Sequence, residues 1–453
     1  MIKKIVSVFF TILLIFTGSF CAFAYEPNSF TVSAEAGILV SLDTGEVLFE
    51  KNIDKKMYPA SLTKIMTVLI ILESDRYNPT EKIAMRADVD KYITGTGSAV
   101  SHLKVGEEIT QLDLVYYVLM SSAGDCAYLA ALHYGDTVEN FMQMMNDKAQ
   151  SLGLTGTHYG NPVGLHDEET YTTVRDVRIL AEYALKNETF KTVCSSSRYT
   201  VEPTNMSGKR VLSTTNFLQD TTTNYYYPYA KGVKTGFTNQ AGRCLVSTAS
   251  YDGYNYLCIL MKCPNNGGTR EEFVESKELY RWAFNNFEYK QVADTENPVA
   301  EVKVELNWDI DHIPVYIKDG FVTILPKDSD TSTIKIVPRI KIEKTSLDAP
   351  VKKGDKICEA DIIYAEKILG TVDLVAGATV EKSTFLGINF DELWRGIKSF
   401  FGSKAMIVIY CIIGAVVIIF ICMVIYMNSG KTKKRKVKYI PYSEEKGNRN
   451  HKK

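Results

Sequence analysis

From Ala405 to Met427 the chain runs 23 residues without a single charged side chain. At ~1.5 Å of rise per residue, a helix of that length exceeds the ~30 Å hydrocarbon core of a bilayer. Lys431, Lys433, Lys434, Arg435, Lys436 and Lys438 follow at once. Basic residues beside a span stay on the cytoplasmic side, so this pattern predicts a cytoplasmic C-terminus. A buried core helix would be equally apolar, but it does not account for the basic stop. The other end points the same way. Lys3 and Lys4 precede an apolar stretch, Ile5 to Phe16, and Ala22-Phe23-Ala24 supplies small residues for cleavage. That is the layout of a secretory signal over residues 1–24. What remains to fold is an extracytoplasmic body, residues 25–404, on a single-pass anchor in the cell membrane.

Charge narrows what that body can bind. The formal net charge of the chain is −1, but residues 431–453 carry +8 and the first 24 carry +2. The segment between them has 40 basic and 51 acidic side chains, a balance of −11. An acidic body repels polyanions, so nucleic acid is excluded as the main partner. The six body cysteines (Cys126, Cys194, Cys244, Cys258, Cys263 and Cys358) form no Cys-x-x-Cys pair. They read as buried free thiols, small hydrophobes in a core of ample size, with disulfides as the alternative. The six histidines show no metal-ligand spacing, and neither metal nor other cofactor is expected.

Residues 25–290 mix strand and helix patterns. Ala36–Val40 and Glu46–Phe49 flank Asp43-Thr44-Gly45, and Cys244–Ser250 and Tyr256–Met261 flank Asp252-Gly253, which predicts two hairpins. Leu62–Leu72, Leu112–Leu132 and Glu272–Phe287 have helical character, the second interrupted near Ser121–Gly124. A sheet with helices packed on it follows. Residues 298–385 change to short β-branched runs between Gly, Asp and Pro turns, which predicts a small all-β module. Residues 386–404 form an amphipathic juxtamembrane segment, 405–427 the transmembrane helix and 428–453 a basic tail.

The chemistry-bearing residues lie in the first region. Ser61-Leu62-Thr63-Lys64 opens an apolar helix, and residues three apart share a face, so Lys64 reaches the Ser61 hydroxyl. A serine hydroxyl attacks only when a base takes its proton, and a lysine is a base only if its pKa is lowered. Ser-x-x-Lys also occurs at Ser101/Lys104, Ser332/Lys335 and Ser443/Lys446, so the pattern alone is weak, and a helix-capping serine is the plain alternative. Lys234-Thr235-Gly236 changes the balance. A lysine and a threonine hydroxyl on a strand lining a cleft can bind a carboxylate, and glycine lets an extended peptide come close. An exposed turn lysine is the competing reading.

With both segments in order, the chain resembles a low-molecular-weight penicillin-binding protein of the serine-type D-alanyl-D-alanine carboxypeptidase family. The segments that carry the resemblance are Pro59–Thr67, Asn161-Pro162-Val163-Gly164-Leu165, Lys234–Cys244 and Glu275-Ser276-Lys277, with Val351–Lys356 in the β module. It implies an α+β fold: a transpeptidase-like domain of antiparallel sheet and helices over 25–290, then the all-β domain. It further implies Ser61 as the acylated nucleophile, Lys64 as its base and Ser122 as a proton relay. Lys234 and Thr235 would hold the substrate carboxylate, and the charge of Lys234 would keep Lys64 partly neutral. Gly236 belongs to the same strand motif, and the backbone N–H groups of Ser61 and Phe237 would form the oxyanion hole. Arg270 is a further candidate for carboxylate binding. The implied substrates are peptidoglycan stems ending in D-Ala-D-Ala, with β-lactams as covalent inhibitors.

One motif departs from the family. Where Ser-x-Asn is usual, this chain has Ser122-Ala123-Gly124. The missing amide would accept from Lys64 and donate to the substrate carbonyl, which leaves a water or Asp125 as replacements. A carboxypeptidase is the leading reading. A wall-binding pseudoenzyme is the alternative that Gly124 raises, and a β-lactamase lacks a carboxylate positioned for deacylation.

Overall fold

The structure, a computed structural model, describes residues 30–265, 268–342, 345–385, 388–389, 394–395, 398–399 and 404–429. The proposed signal, most of the juxtamembrane segment and nearly all of the basic tail lie outside the described residues.

The central element is a five-stranded antiparallel sheet built from β1 (Ala36–Ser41), β2 (Val47–Lys51), β3 (Ala230–Thr238), β4 (Gly242–Tyr251) and β5 (Tyr254–Cys263). Its spatial order is β2-β1-β5-β4-β3. Both expected hairpins form. The β4–β5 turn pairs Tyr251 with Tyr254 and places Asp252 and Gly253 at positive φ, the two-residue geometry that matches strand twist. Strands β4 and β5 are buried almost throughout because both faces are covered. Leu257, Ile259 and Met261 enter one core, while Tyr256, Cys258 and Leu260 alternate into a second.

The second core is closed by the helix Glu271–Asn286, which contributes Phe273, Leu279, Tyr280 and Ala283. The larger core holds α1 (Lys64–Leu72), α2 (Gln111–Leu119) and α3 (Gly124–Tyr134). The break expected inside Leu112–Leu132 is the link between α2 and α3. Helix α1 is apolar all round and buried from Lys64 to Ile71, so it runs through the middle of the helical layer. That placement carries its first residue, Lys64, into the interior.

By its contacts the described chain falls into two units. One lies within Met1–Glu301, Pro314–Ile342 and Gly354–Gly377, the other within Val302–Ile313, Glu343–Lys353 and Ala378–Lys453. The first unit includes, beside the sheet and helices, strand Phe287–Ala293 paired antiparallel with Phe321–Pro326, and the long hairpin of Lys356–Tyr364 and Lys367–Ala376. The sequence reading ended its helix at Phe287 and gave no strand to the residues after it, whereas Phe287 already opens this strand. In the second unit Lys303–Glu305 pair in parallel with Ser346–Asp348. Its C-terminal helix, Lys404–Ser429, contains a 20-residue stretch, Val408–Met427, long and apolar enough to cross a membrane. It fits a membrane anchor.

The fold is α+β: a sheet with helices on it, an all-β region after it, and one apolar C-terminal helix. The six body cysteines are free and buried.

Candidate active site

Ser61 sits in a single 3-10 turn, Ala60–Thr63, that leads directly into α1. Ala60 has φ +47, a conformation that L residues with a Cβ rarely adopt, so the turn bends sharply just before the serine. Lys64 Nζ lies 3.0 Å from Ser61 Oγ. It also donates to the Val163 carbonyl at 2.8 Å. The i to i+3 expectation is thus met, and a second acceptor outside the motif fixes the amine.

That acceptor belongs to a loop pinned by its own side chain. Asn161 Oδ1 accepts from the N–H groups of Val163, Gly164 and Leu165, and Thr67 Oγ1 donates to the Pro162 carbonyl at 2.6 Å. Gly164 is at φ +76, and a Cβ there would stand 1.8 Å from the Ala60 carbonyl oxygen. Only glycine lets this loop press against the serine turn. The sequence reading marked this segment but assigned it no role; an Asn-Pro-x-Gly turn was the signal available.

Burial sets the electrostatics. Lys64 is 1% exposed and its pKa falls from the ordinary 10.5 to about 7, mainly by desolvation, with the Asp125 charge opposing. Lys234, also 1% exposed, is pushed well below its ordinary value by desolvation and then by repulsion from Lys64. Burial, one of the two causes the sequence reading allowed, comes first at both lysines, and like-charge repulsion adds to it at Lys234.

The Lys234-Thr235-Gly236 segment belongs to the edge strand β3, beside the serine turn. A Cβ on Gly236 would lie 3.1 Å from the Pro59 oxygen and 3.2 Å from both Ala60 Cβ and Ser61 N. This is the contact that brings the strand's backbone up to the nucleophile. Thr235 Oγ1 is 2.7 Å from Thr215 Oγ1, a partner the sequence did not suggest, and Lys234 Nζ donates to the Thr235 carbonyl at 3.0 Å. The Phe237 side chain is exposed, under the Arg243 guanidinium.

The remaining candidates divide. Ser122 is half-buried between α2 and α3, at φ +60, and has no side-chain hydrogen bond among the described residues. Arg270 has its own partners: its Nε donates to Glu272 at 2.6 Å and its guanidinium covers the rings of Phe217 and Phe273. Asp125 does not turn toward Lys64, because its carboxylate accepts from Ser101 N and Oγ. Ser101 is thereby spent, and its Ser-x-x-Lys spacing is incidental.

A buried lysine of lowered pKa against a serine hydroxyl, with a lysine- and threonine-bearing strand alongside, is the equipment of a serine acyl-transfer enzyme. The comparisons name the group. Residues 22–265 match the D-alanyl-D-alanine carboxypeptidase family, and residues 287–382 match the C-terminal domain of penicillin-binding protein 5. The chain belongs to the D-alanyl-D-alanine carboxypeptidase family and is a serine carboxypeptidase of the penicillin-binding type. It is 27% identical to D-alanyl-D-alanine carboxypeptidase DacF of Bacillus subtilis over 389 residues, 85% of this chain and 96% of that one. It is 28% identical to DacC of Escherichia coli over 417 residues, again 85% and 96%. Among solved structures, penicillin-binding protein 5 from Haemophilus influenzae superposes with a TM-score of 0.61 at 25% identity, covering 78% of this chain and 98% of the other.

Proposed function

We propose that this carboxypeptidase removes the terminal D-alanine from peptidoglycan stem peptides through an acyl-enzyme on Ser61. The 3.0 Å contact between Lys64 Nζ and Ser61 Oγ, made by a buried amine, carries the reading. Neutral Lys64 takes the hydroxyl proton as Oγ bonds to the penultimate residue's carbonyl carbon. The developing oxyanion is met by the N–H groups of Ser61 and Phe237, which the Gly236 contact supports. The C–N bond then breaks, the proton passes through Lys64 and Ser122 to the leaving amine, and D-alanine departs. Water hydrolyses the ester and restores Ser61. Thr235 and Lys234 hold the terminal carboxylate; Arg270, engaged with Glu272, contributes through the field it sets nearby. A β-lactam presents a strained amide to the same serine and remains attached.

The proposed domain plan is a signal over 1–24, a peptidase domain over 25–290, an all-β domain over 298–385, a juxtamembrane segment over 386–404, a span over 405–427 and a tail over 428–453. The basic residues after Met427 favour a cytoplasmic C-terminus with the peptidase outside. Gly124 favours a second reading, a stem-binding pseudoenzyme. D-Alanine release from a pentapeptide stem by the full-length protein, beside Ser61→Ala, decides between them. Release that vanishes in the variant supports the carboxypeptidase; binding without release from either supports the pseudoenzyme.

A further inference from the structure

Gly124 leaves the second motif without its amide, yet the space where its side chain would begin is occupied. A Cβ on Gly124 would stand 2.3 Å from Ser98 Oγ, 3.3 Å from Ser98 Cβ and 2.8 Å from Ile93 Cδ1. The first and third are closer than real Cβ atoms come, so an asparagine here would have to displace the Ser98 and Ile93 side chains. The loop that delivers Ser98 turns at Gly95 and Gly97, both at positive φ with nothing within 4 Å of a Cβ at either. It is tied to the motif by the Gly124 N–H, which donates to the Ala99 carbonyl at 2.7 Å. The Ser98 hydroxyl is lightly engaged. Its described bond is to the adjacent Ala99 carbonyl at 3.4 Å, at the limit of a hydrogen bond, and the residue is half-buried.

An amide in this place has two duties, to accept from the lysine and to donate to substrate. Lys64 already has a carbonyl acceptor in Val163, at 2.8 Å. The donor duty is what is left, and a serine hydroxyl supplies one donor. We propose that Ser98 stands in for the missing asparagine, its Oγ–H donating to the backbone carbonyl of the bound stem peptide while the Val163 carbonyl holds Lys64. Ser98 is then a catalytic residue that neither Ser-x-x-Lys nor Lys-Thr-Gly reveals, and Gly124 leaves it room.

The inference rests on the serine carboxypeptidase reading, and the test separates the two. Full-length wild type, Ser98→Ala, Gly124→Asn and the double variant Ser98→Gly/Gly124→Asn are compared by D-alanine release from a pentapeptide and by acylation with a fluorescent penicillin. Ser98→Ala is expected to lose roughly ten- to a hundredfold in kcat/KM, the cost of one hydrogen bond to substrate, with an unchanged melting temperature. Gly124→Asn alone is expected to fall further, and the double variant to recover at least tenfold over it. An active wild type matched by Ser98→Ala overturns the assignment, as does a double variant no better than Gly124→Asn. A folded wild type that releases nothing removes the carboxypeptidase reading itself, and this inference with it.

Discussion

Protonation of Lys64 should control acylation, and the structure sets where along the pH scale it does so. At the ordinary lysine pKa of 10.5, only about 0.03% of the side chain would be neutral at pH 7. With the value lowered to about 7, half of it is neutral. Burial thus raises the population of competent base more than a thousandfold. The sign follows from which form works: neutral Lys64 accepts the Ser61 proton, so acidification through pH 7 removes the base. The second-order rate of fluorescent-penicillin acylation should fall tenfold per pH unit below about 6.5 and level off above about 8. Asp125 opposes the shift by its charge, so Asp125→Asn should move the midpoint to lower pH, provided the bond to Ser101 is kept. A rate flat from pH 5.5 to 8.5, or a midpoint above pH 9, would refute the argument that burial activates this lysine.

The same burial has a cost in stability, and it too eases as pH rises. The unfolded chain binds more protons at Lys64 between pH 7 and 10.5, so folding becomes more favourable as pH rises through that window. Lys64→Met should therefore melt higher than wild type at pH 7, and the gap should narrow by pH 10. Gly164→Ala faces both a left-handed φ and the Ala60 carbonyl at 1.8 Å. It should destabilise by about 1–3 kcal/mol and, by displacing the Val163 carbonyl, depress penicillin acylation in molecules that remain folded. A variant with wild-type melting and acylation would show that the loop is not held as described.

Much of this protein was legible in its residues because the signals are local. Spacing of three along a helix puts Lys64 beside Ser61, and a 23-residue uncharged run fits a membrane anchor, whatever the rest of the chain does. The Asp252-Gly253 hairpin follows from two residues that tolerate positive φ. The ordered motifs likewise brought the family into view, since each is a short contiguous string.

Tertiary structure decided what depends on segments distant along the chain. The desolvation that lowers Lys64 comes from α1 lying at the centre of the helical layer, and no property of Ser61–Lys64 announces it. The Val163 carbonyl lies 99 residues from the lysine it holds, and Thr215 lies 20 from the threonine it meets. Arg270 looked available as a charge in the sequence but is committed to Glu272 and two aromatic rings. Gly124 read as a loss, whereas in space the Ser98 side chain stands where its Cβ would be. Such contacts are set by excluded volume and burial, which depend on everything packed around a residue, whereas helical spacing and turn chemistry depend only on its neighbours.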